Sequence, residues 1–434
     1  MYADTLFPSF SSTRQRWLVA ALLLLFVVLS VQYGFKAMEN RSAFLRWRDQ
    51  VVDLEKGVDI YQRHTYPNPP IVALLLMPLA KVPPLAGALG WFYLKVGMTL
   101  LALMWIFHLV EQPDRPFPLW AQALTVLLSL RPIMGDLSHG NINLLILFLV
   151  VGALYGFRRG RDLTGGVILG LAIACKVTPA LFVPYFLWKR SWKMLAGCGL
   201  GLGLFLWPGL VPAALLGWER NHQLLHSWTD QMITPYVIHG AVTSEHPNQS
   251  LPGLLYRLAT RSPSFSTYDY EQDRYISLDY HNLLALDPQL VRGVVTGCML
   301  LFAGLVVWAC RTPTQPRKSW RLAVEFSVII LGMLLFCERT WKHHCVTLLL
   351  PFAVLCYYLA AGRPGWKVGA YLIGTLAAVE LLMALTSTSL FERELAKAAQ
   401  VYGTYVWAYL LLLAALIVVL RQPGDQPSPV LSKQ

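Results

Sequence analysis

Charge is what this sequence has least of. Only 14% of its 434 residues are Asp, Glu, Lys or Arg, against roughly a quarter in a soluble domain, and an ordinary water-soluble globule is excluded on that ground. No basic stripe interleaved with aromatics stands on a soluble module, so the formal net charge of +12 does not read as a nucleic-acid surface. Positive charge beside apolar runs sets membrane topology instead. There is no glycine-rich phosphate loop, no G-x-S-x-G elbow and no nucleotide-binding pattern, so a nucleotide sugar held in a soluble domain is not expected, and neither is a cofactor. Cysteine is scarce and odd in number, seven in all. Most lie inside apolar runs, so Cys337 and Cys345 read as buried thiols rather than a disulfide. An internal repeat, common among transporters, is not found.

What the chain does have is long apolar runs. Hydrophobic residues make up 56% of it, the mean hydropathy is +0.48, and runs such as "RWLVAALLLLFVVLSVQYGF" and "TYVWAYLLLLAALIVVL" match a hydrocarbon core crossed by one helix. The first lacks a small-residue cleavage site before "KAMEN" and reads as an uncleaved anchor. Spans are expected at about 17–35, 84–110, 118–130, 142–157, 191–216, 292–310, 322–337, 345–360, 367–386 and 402–420. The run "LTGGVILGLAIACKVTPALFVPYFLWK" is broken at Lys176-Val-Thr-Pro179. Each half has about twelve residues, roughly 18 Å of helix, which predicts a short-helix hairpin returning to its starting side. With that hairpin the basic clusters "RQR", "RRGR", "WKRSWK", "PRKSWR" and "RPGWK" share one side with both termini, as the positive-inside rule requires. Residues 1–420 then form a single polytopic membrane domain of the all-α class, and 421–434 a cytoplasmic tail expected to be disordered.

The opposite, extracytoplasmic face collects most of the acids and the chemistry-bearing segments: loops 36–70, 131–141, 217–291, 338–344 and 387–401. In the first, Asp49, Asp53 and Glu55 read as the solvated face of an amphipathic helix. Glu39 stands at headgroup level, where partial burial could make it a general base. "GDLSHGNIN" offers Asp136 and His139 to a hydroxyl or phosphate, with Asn141 and Asn143 as polar neighbours or helix caps. Lys176, an ionisable residue at membrane depth, is a functional candidate by default. Lys95 is left open, and Glu325 and Glu380 read as structural partners. In "CERTWKHHCVTLLLPF", Trp341 beside His343 and His344 reads as a platform for a sugar or phosphate. Adjacent histidines diverge on a helix, which disfavours a metal site.

Taken in order, "GVDIYQRHTYPNPP", "GDLSHGNINLL", "GLAIACKVTPAL", "NQSLPGLLYRL" and "TWKHHCVTLLLP" resemble glycosyltransferase family 87, over about residues 39–352. The resemblance implies a GT-C-type bundle of about twelve transmembrane segments. It also implies hexose transfer, of mannose in this family, from a polyprenyl-phosphate sugar to a lipid or glycan acceptor outside the cytoplasmic membrane. An acid of the first external loop would be the base, with Asp136, Lys176, Asn248, Gln249, Trp341, His343 and His344 lining the cavity. The family usually places an aspartate about fourteen residues before the glycine matching Gly57. Ala43 stands there, and Glu39 is the nearest carboxylate. Glu39 and Asp136 are therefore the catalytic candidates, and His139, Asn141, Lys176, Asn248, Gln249, Trp341, His343 and His344 the substrate-binding ones. The aromatic, acidic 217–291 segment is a candidate lid. Two other readings remain: a transporter or flippase of a lipid-linked or anionic solute, and an inactive relative.

Overall fold

The computed structural model describes residues 13–39, 41–269, 274–315, 317 and 319–422; the expected tail from 423 onward lies outside them. The described chain is almost wholly helical, and six of its helices are long and apolar enough to cross a membrane: Pro84–Val110, Trp192–Leu216, Pro288–Ala309, Lys342–Ala361, Trp366–Leu385 and Thr404–Arg421. Shorter apolar helices include Pro70–Ala80, Asn143–Arg158 and Asp162–Cys175. The chain is a multi-pass membrane protein. Its centre is the Lys342–Ala361 helix, of whose most apolar window 78% is buried, whereas the corresponding figure for Pro288–Ala309 at the periphery is 22%.

The chain turns at Lys176. The Asp162–Cys175 helix stops there because Pro179 has no N–H to continue the ladder and its ring would meet the carbonyl four residues back. Lys176 is extended, with φ −159° and ψ 125°. A 3-10 turn at Thr178–Leu181 and a short helix at Phe182–Trp188 then lead back. The Trp192–Phe205 helix climbs again parallel to Asp162–Cys175, backbone against backbone. A Cβ on Gly166 would lie 2.2 Å from the Met194 carbonyl oxygen, and one on Gly170 2.6 Å from that of Cys198. Only glycine permits so close an approach, as in other membrane-helix pairs built on small residues.

Both ends of this hairpin are fixed. At the end where it starts and returns, Arg317 forks onto both oxygens of Asp162 and lies 4.3 Å above the Phe157 ring. Nearby, Lys189 meets Glu325 at 2.6 Å and the Thr312 carbonyl at 2.8 Å. Glu325 also accepts from the Tyr185 hydroxyl (2.8 Å) and the Thr312 amide (2.6 Å). At the other end, Lys176 donates to Asn143.

Two expectations are corrected here. Residues 131–141 do not form a loop, because the helix begun at Leu119 runs on to His139. Pro132 is tolerated within it, as prolines are in packed membrane helices, and Arg131 anchors the segment on the Met383 carbonyl and the Thr386 hydroxyl. The helix ends at Gly140, whose φ of +74° and N–H bonds to the Asp136 and Leu137 carbonyls form a left-handed cap. The 217–291 segment, expected as a loop, also carries secondary structure, which leaves the all-helical class unchanged. Strands Phe265–Asp269 and Arg274–Asp279 pair antiparallel within the long 217–291 segment.

That segment is pinned by Arg257, which is wholly buried. Its guanidinium donates to the carbonyls of Val401 (2.7 Å), Ser244 and Glu245 (2.9 Å each), Asn248 (3.2 Å) and Gln400 (3.3 Å). Three guanidinium nitrogens meeting five carbonyls explain how this arginine is buried without an ion pair among the described residues.

Candidate active site

At the Lys176 end of the bundle, four polar side chains from four helices or breaks form a line. Lys95 and Asp136 are both fully buried. Lys95 Nζ donates to the Asp136 carbonyl at 2.6 Å and to Oδ2 at 3.3 Å. Asn143 Nδ2 donates to Asp136 Oδ1 at 2.9 Å, and the Leu144 amide reaches Oδ2 at 3.4 Å. The Asn143 amide is thereby oriented with Oδ1 outward, where it accepts from Lys176 Nζ at 2.8 Å. Lys95 thus meets the Asp136 carboxylate directly, and Lys176 is linked to it only through Asn143. The outer ammonium, Lys176, stands at the wall of a small, partly open pocket of about 20 Å³.

Asn143, Lys176, Cys337, Thr340, His344 and Thr347 line that cavity. The Trp341 amide donates to His344 Nδ1 at 3.2 Å, so a neutral ring carries its proton on Nε2. Asn141 holds its own side chain by accepting from the Ile142 amide (2.8 Å) and donates to His343 Nε2 at 3.0 Å. His343 stacks on His139 with centroids 5.0 Å apart and meets the Trp341 ring edge-on at 5.4 Å. Trp341 remains 36% exposed, with the Arg339 guanidinium 5.9 Å from its ring and equally far from that of Tyr236. His139, Asn141, Lys176, Trp341, His343 and His344 are therefore brought together as one patch.

Asn248 and Gln249 are brought near the patch in another capacity. Asn248 donates to the Thr243 and Glu338 carbonyls (2.7 and 2.8 Å) and accepts from the Ser250 and Thr340 amides (3.1 and 2.9 Å). Gln249 donates to His246 and Gln400 carbonyls (2.6 and 2.7 Å) and accepts from the Tyr405 amide at 3.4 Å. Both are fully buried, and both side chains are spent on the protein, Asn248 as a brace for the strap carrying Glu338 and Thr340 and Gln249 as a tie from His246 to Gln400 and Tyr405.

The two catalytic candidates stand differently from expectation. Glu39 is exposed and paired with Arg41 at 2.9 Å. Asp136 is a helix residue with donors on both oxygens. The first-loop acids are also engaged. Asp49 pairs with Arg48 (3.2 Å), Glu55 with Lys81 (2.7 Å), and Asp53 with His64 (3.0 Å) and Lys56 (3.2 Å). The His64 hydrogen bond, followed by Lys56, holds the Asp53 carboxyl below its usual range. Asp59 caps the amides of Tyr61 and Gln62 and accepts from Ser227.

Sequence reasoning passed over Asn143, Arg257 and Glu338 as working residues. Asn143 was visible as one of two asparagines in "GNIN", with no sign of which would turn inward. Glu338 stands inside the polar break between two apolar runs. Burial pushes its carboxyl above the ordinary value, against the opposing pull of Arg339 and Lys176. Among the described residues no group of three or more His, Cys, Asp and Glu side chains is arranged to hold a metal ion, and all seven cysteines are free thiols.

Residues 66–337 match the profile of glycosyltransferase family 87. The polyprenol-phosphate-mannose-dependent alpha-(1-2)-phosphatidylinositol mannoside mannosyltransferase of Mycobacterium tuberculosis is 26% identical over 391 residues, 84% of this chain and 81% of the relative. The protein of the same description from Mycolicibacterium smegmatis is 26% identical over 300 residues, 66% of this chain and 58% of the relative. Among solved structures, ArnT from Cupriavidus metallidurans bound to undecaprenyl phosphate aligns over 92% of this chain and 77% of that one, at 14% identity and a TM-score of 0.38.

Proposed function

The chain belongs to glycosyltransferase family 87, and on that premise we propose that it transfers a hexose from a polyprenyl-phosphate sugar to a hydroxyl of a lipid or glycan acceptor. Mannose is the sugar suggested by the printed names of the two mycobacterial relatives. The observation that carries this reading is the surplus ammonium of Lys176, held by Asn143 at the cavity wall with the His344 ring beside it. Glycosyl transfer from a lipid phosphate needs little covalent help from the protein at the leaving group. It needs fixed positive charge and N–H donors where the phosphate oxygen gains charge as the anomeric C–O bond breaks. The exposed ring of Trp341, backed by His343, supplies a surface for sugar C–H groups.

The same reading puts the cavity end on the extracytoplasmic side. Its support is the basic character of the opposite end, where Arg158, Arg159, Arg161, Lys189, Arg190, Arg317, Arg321 and Arg421 gather, as the positive-inside rule asks. It also takes the shorter apolar helices as membrane segments beside the six long ones, toward a GT-C-type total of about twelve.

The break at Lys176 favours one competing reading, since discontinuous helices serve substrate binding in transporters. One experiment separates the two. Purified protein is incubated with radiolabelled polyprenyl-phosphate mannose and a membrane lipid extract, and in parallel is reconstituted in vesicles. Label in a new, more polar product is the expected result. Label accumulating inside vesicles with no product overturns transfer in favour of transport.

A further inference from the structure

We propose that Glu338 is the general base of the transfer reaction, taking the place of the first-loop aspartate for which this chain has Ala43. The inference rests on the transferase reading above and adds to it the residue that receives the acceptor's proton.

Three observations converge on this carboxyl. It follows Cys337 directly and lies two residues before Thr340, both of which line the cavity. Its Oε1 is shielded from solvent and accepts no hydrogen bond, being ion-paired with Arg339 Nε at 3.7 Å, while the side chain as a whole is 30% exposed. A buried carboxylate oxygen left without a donor is costly, and an incoming hydroxyl is the partner that would relieve it. The strap that carries it is rigid: Asn248 alone grips the Glu338 carbonyl and the Thr340 amide (2.8 and 2.9 Å), and Thr340 Oγ1 holds the Leu334 carbonyl at 2.7 Å. A base fixed this way needs no reorganisation as the proton moves.

Several other carboxylates at this end are committed. Asp136 is saturated, the first-loop acids are paired or capping, and Glu245 accepts from the Ser266 hydroxyl. Glu380 also has an oxygen without a partner, but it lies on the Trp366–Leu385 helix, which contributes nothing to the cavity wall. Burial keeps the Glu338 carboxyl above its ordinary value, which brings a glutamate closer to a working base at neutral pH.

The step balances within one displacement. The acceptor O–H proton passes to Glu338, the acceptor oxygen bonds to the anomeric carbon, and the bond from that carbon to the phosphate oxygen breaks. The electron pair leaves with the lipid phosphate, beside Lys176 and His344.

The test compares wild type with Glu338→Gln, Glu338→Ala and Glu39→Gln, using polyprenyl-phosphate mannose as donor. Turnover is read as product formed, and donor affinity is measured separately by equilibrium binding. Glu338→Gln is expected to lose at least about 100-fold in kcat, the range of a positioned base, with donor affinity within about threefold of wild type, which also verifies folding. Formate is expected to restore part of the turnover of Glu338→Ala. An active wild type matched by Glu338→Gln within about threefold overturns the base assignment alone, as does large loss in Glu39→Gln with none in Glu338→Gln. A wild type without turnover overturns the transferase reading and the base with it.

Discussion

Two buried lysine–carboxylate clusters stand at opposite ends of the same bundle, and they are built to different plans. At the basic end, Glu325 takes Lys189, the Tyr185 hydroxyl and the Thr312 amide, and Lys189 adds the Thr312 carbonyl. One cation meets one anion and the set closes on itself. At the cavity end, Asp136 takes Lys95, Asn143 and the Leu144 amide, and Asn143 passes the line on to Lys176. One cation meets the anion, a second is linked to it through Asn143, and the line ends at a small pocket. A neutral closed set ties helices together. A set with surplus charge facing a pocket is a place for an anion.

The largest expected effect tests whether both clusters hold the fold while one alone serves chemistry. Asp136→Ala and Glu325→Ala should each lower stability by about 3–5 kcal/mol, because each strands a buried lysine, and thermal unfolding in detergent measures this. Among molecules that remain folded, the Glu325 variant should retain turnover and the Asp136 variant should not. Equal turnover per folded molecule would erase the distinction between the two ends. Next, Lys176→Met should cut transfer by about 100-fold or more, in the range of losing one preorganised charge contact to a transition state, with the melting temperature nearly unchanged. A methionine variant that melts early but turns over normally would make Lys176 a structural residue like Lys189.

A smaller effect sharpens the same contrast. Gly170→Val pushes a side chain toward the Cys198 carbonyl and should cost about 1–3 kcal/mol by overpacking. It should also raise the KM for the donor, because Lys176 follows this helix directly. The smallest effect is on pH dependence. Burial, chiefly, holds the His246 imidazole down to about 4, with Arg257, Lys342 and Lys397 adding to the effect against the Ser264 carbonyl. Between about pH 6.5 and 4 the unfolded chain therefore binds a proton that the folded one refuses. Stability should fall as pH drops through that window, by on the order of 1 kcal/mol, and level off below it. His246→Phe, which keeps the stacking on Phe265, should flatten that slope. An unaltered slope would assign it to other groups.

Much of this was legible in the sequence because it depends on one-dimensional signals. Apolar runs gave the long helices, basic clusters gave the common end for the turns, and Pro179 gave the break that exposes Lys176. What stayed hidden depends on tertiary partners. Pro132 and the polar run after it looked like a loop, yet neighbouring helices supply what an interrupted helix lacks, and Asp136 ended up inside. Asn248 and Gln249 looked like ligand groups because amides serve both ligands and carbonyls equally well. Their carbonyl partners lie as far away in sequence as Glu338 and Gln400. Glu338 itself was in plain view between Cys337 and Arg339, but nothing local distinguishes a carboxylate with a vacant oxygen from one with a partner.

The carbonyl cluster on Arg257 has a mechanical consequence. It ties Ser244, Glu245 and Asn248 to Gln400 and Val401 through one side chain, so those stretches cannot part without stranding every acceptor together. Amide exchange should accordingly be slow around Arg257 and faster along the Thr229–Ile238 π-helix, which has no buried side chains.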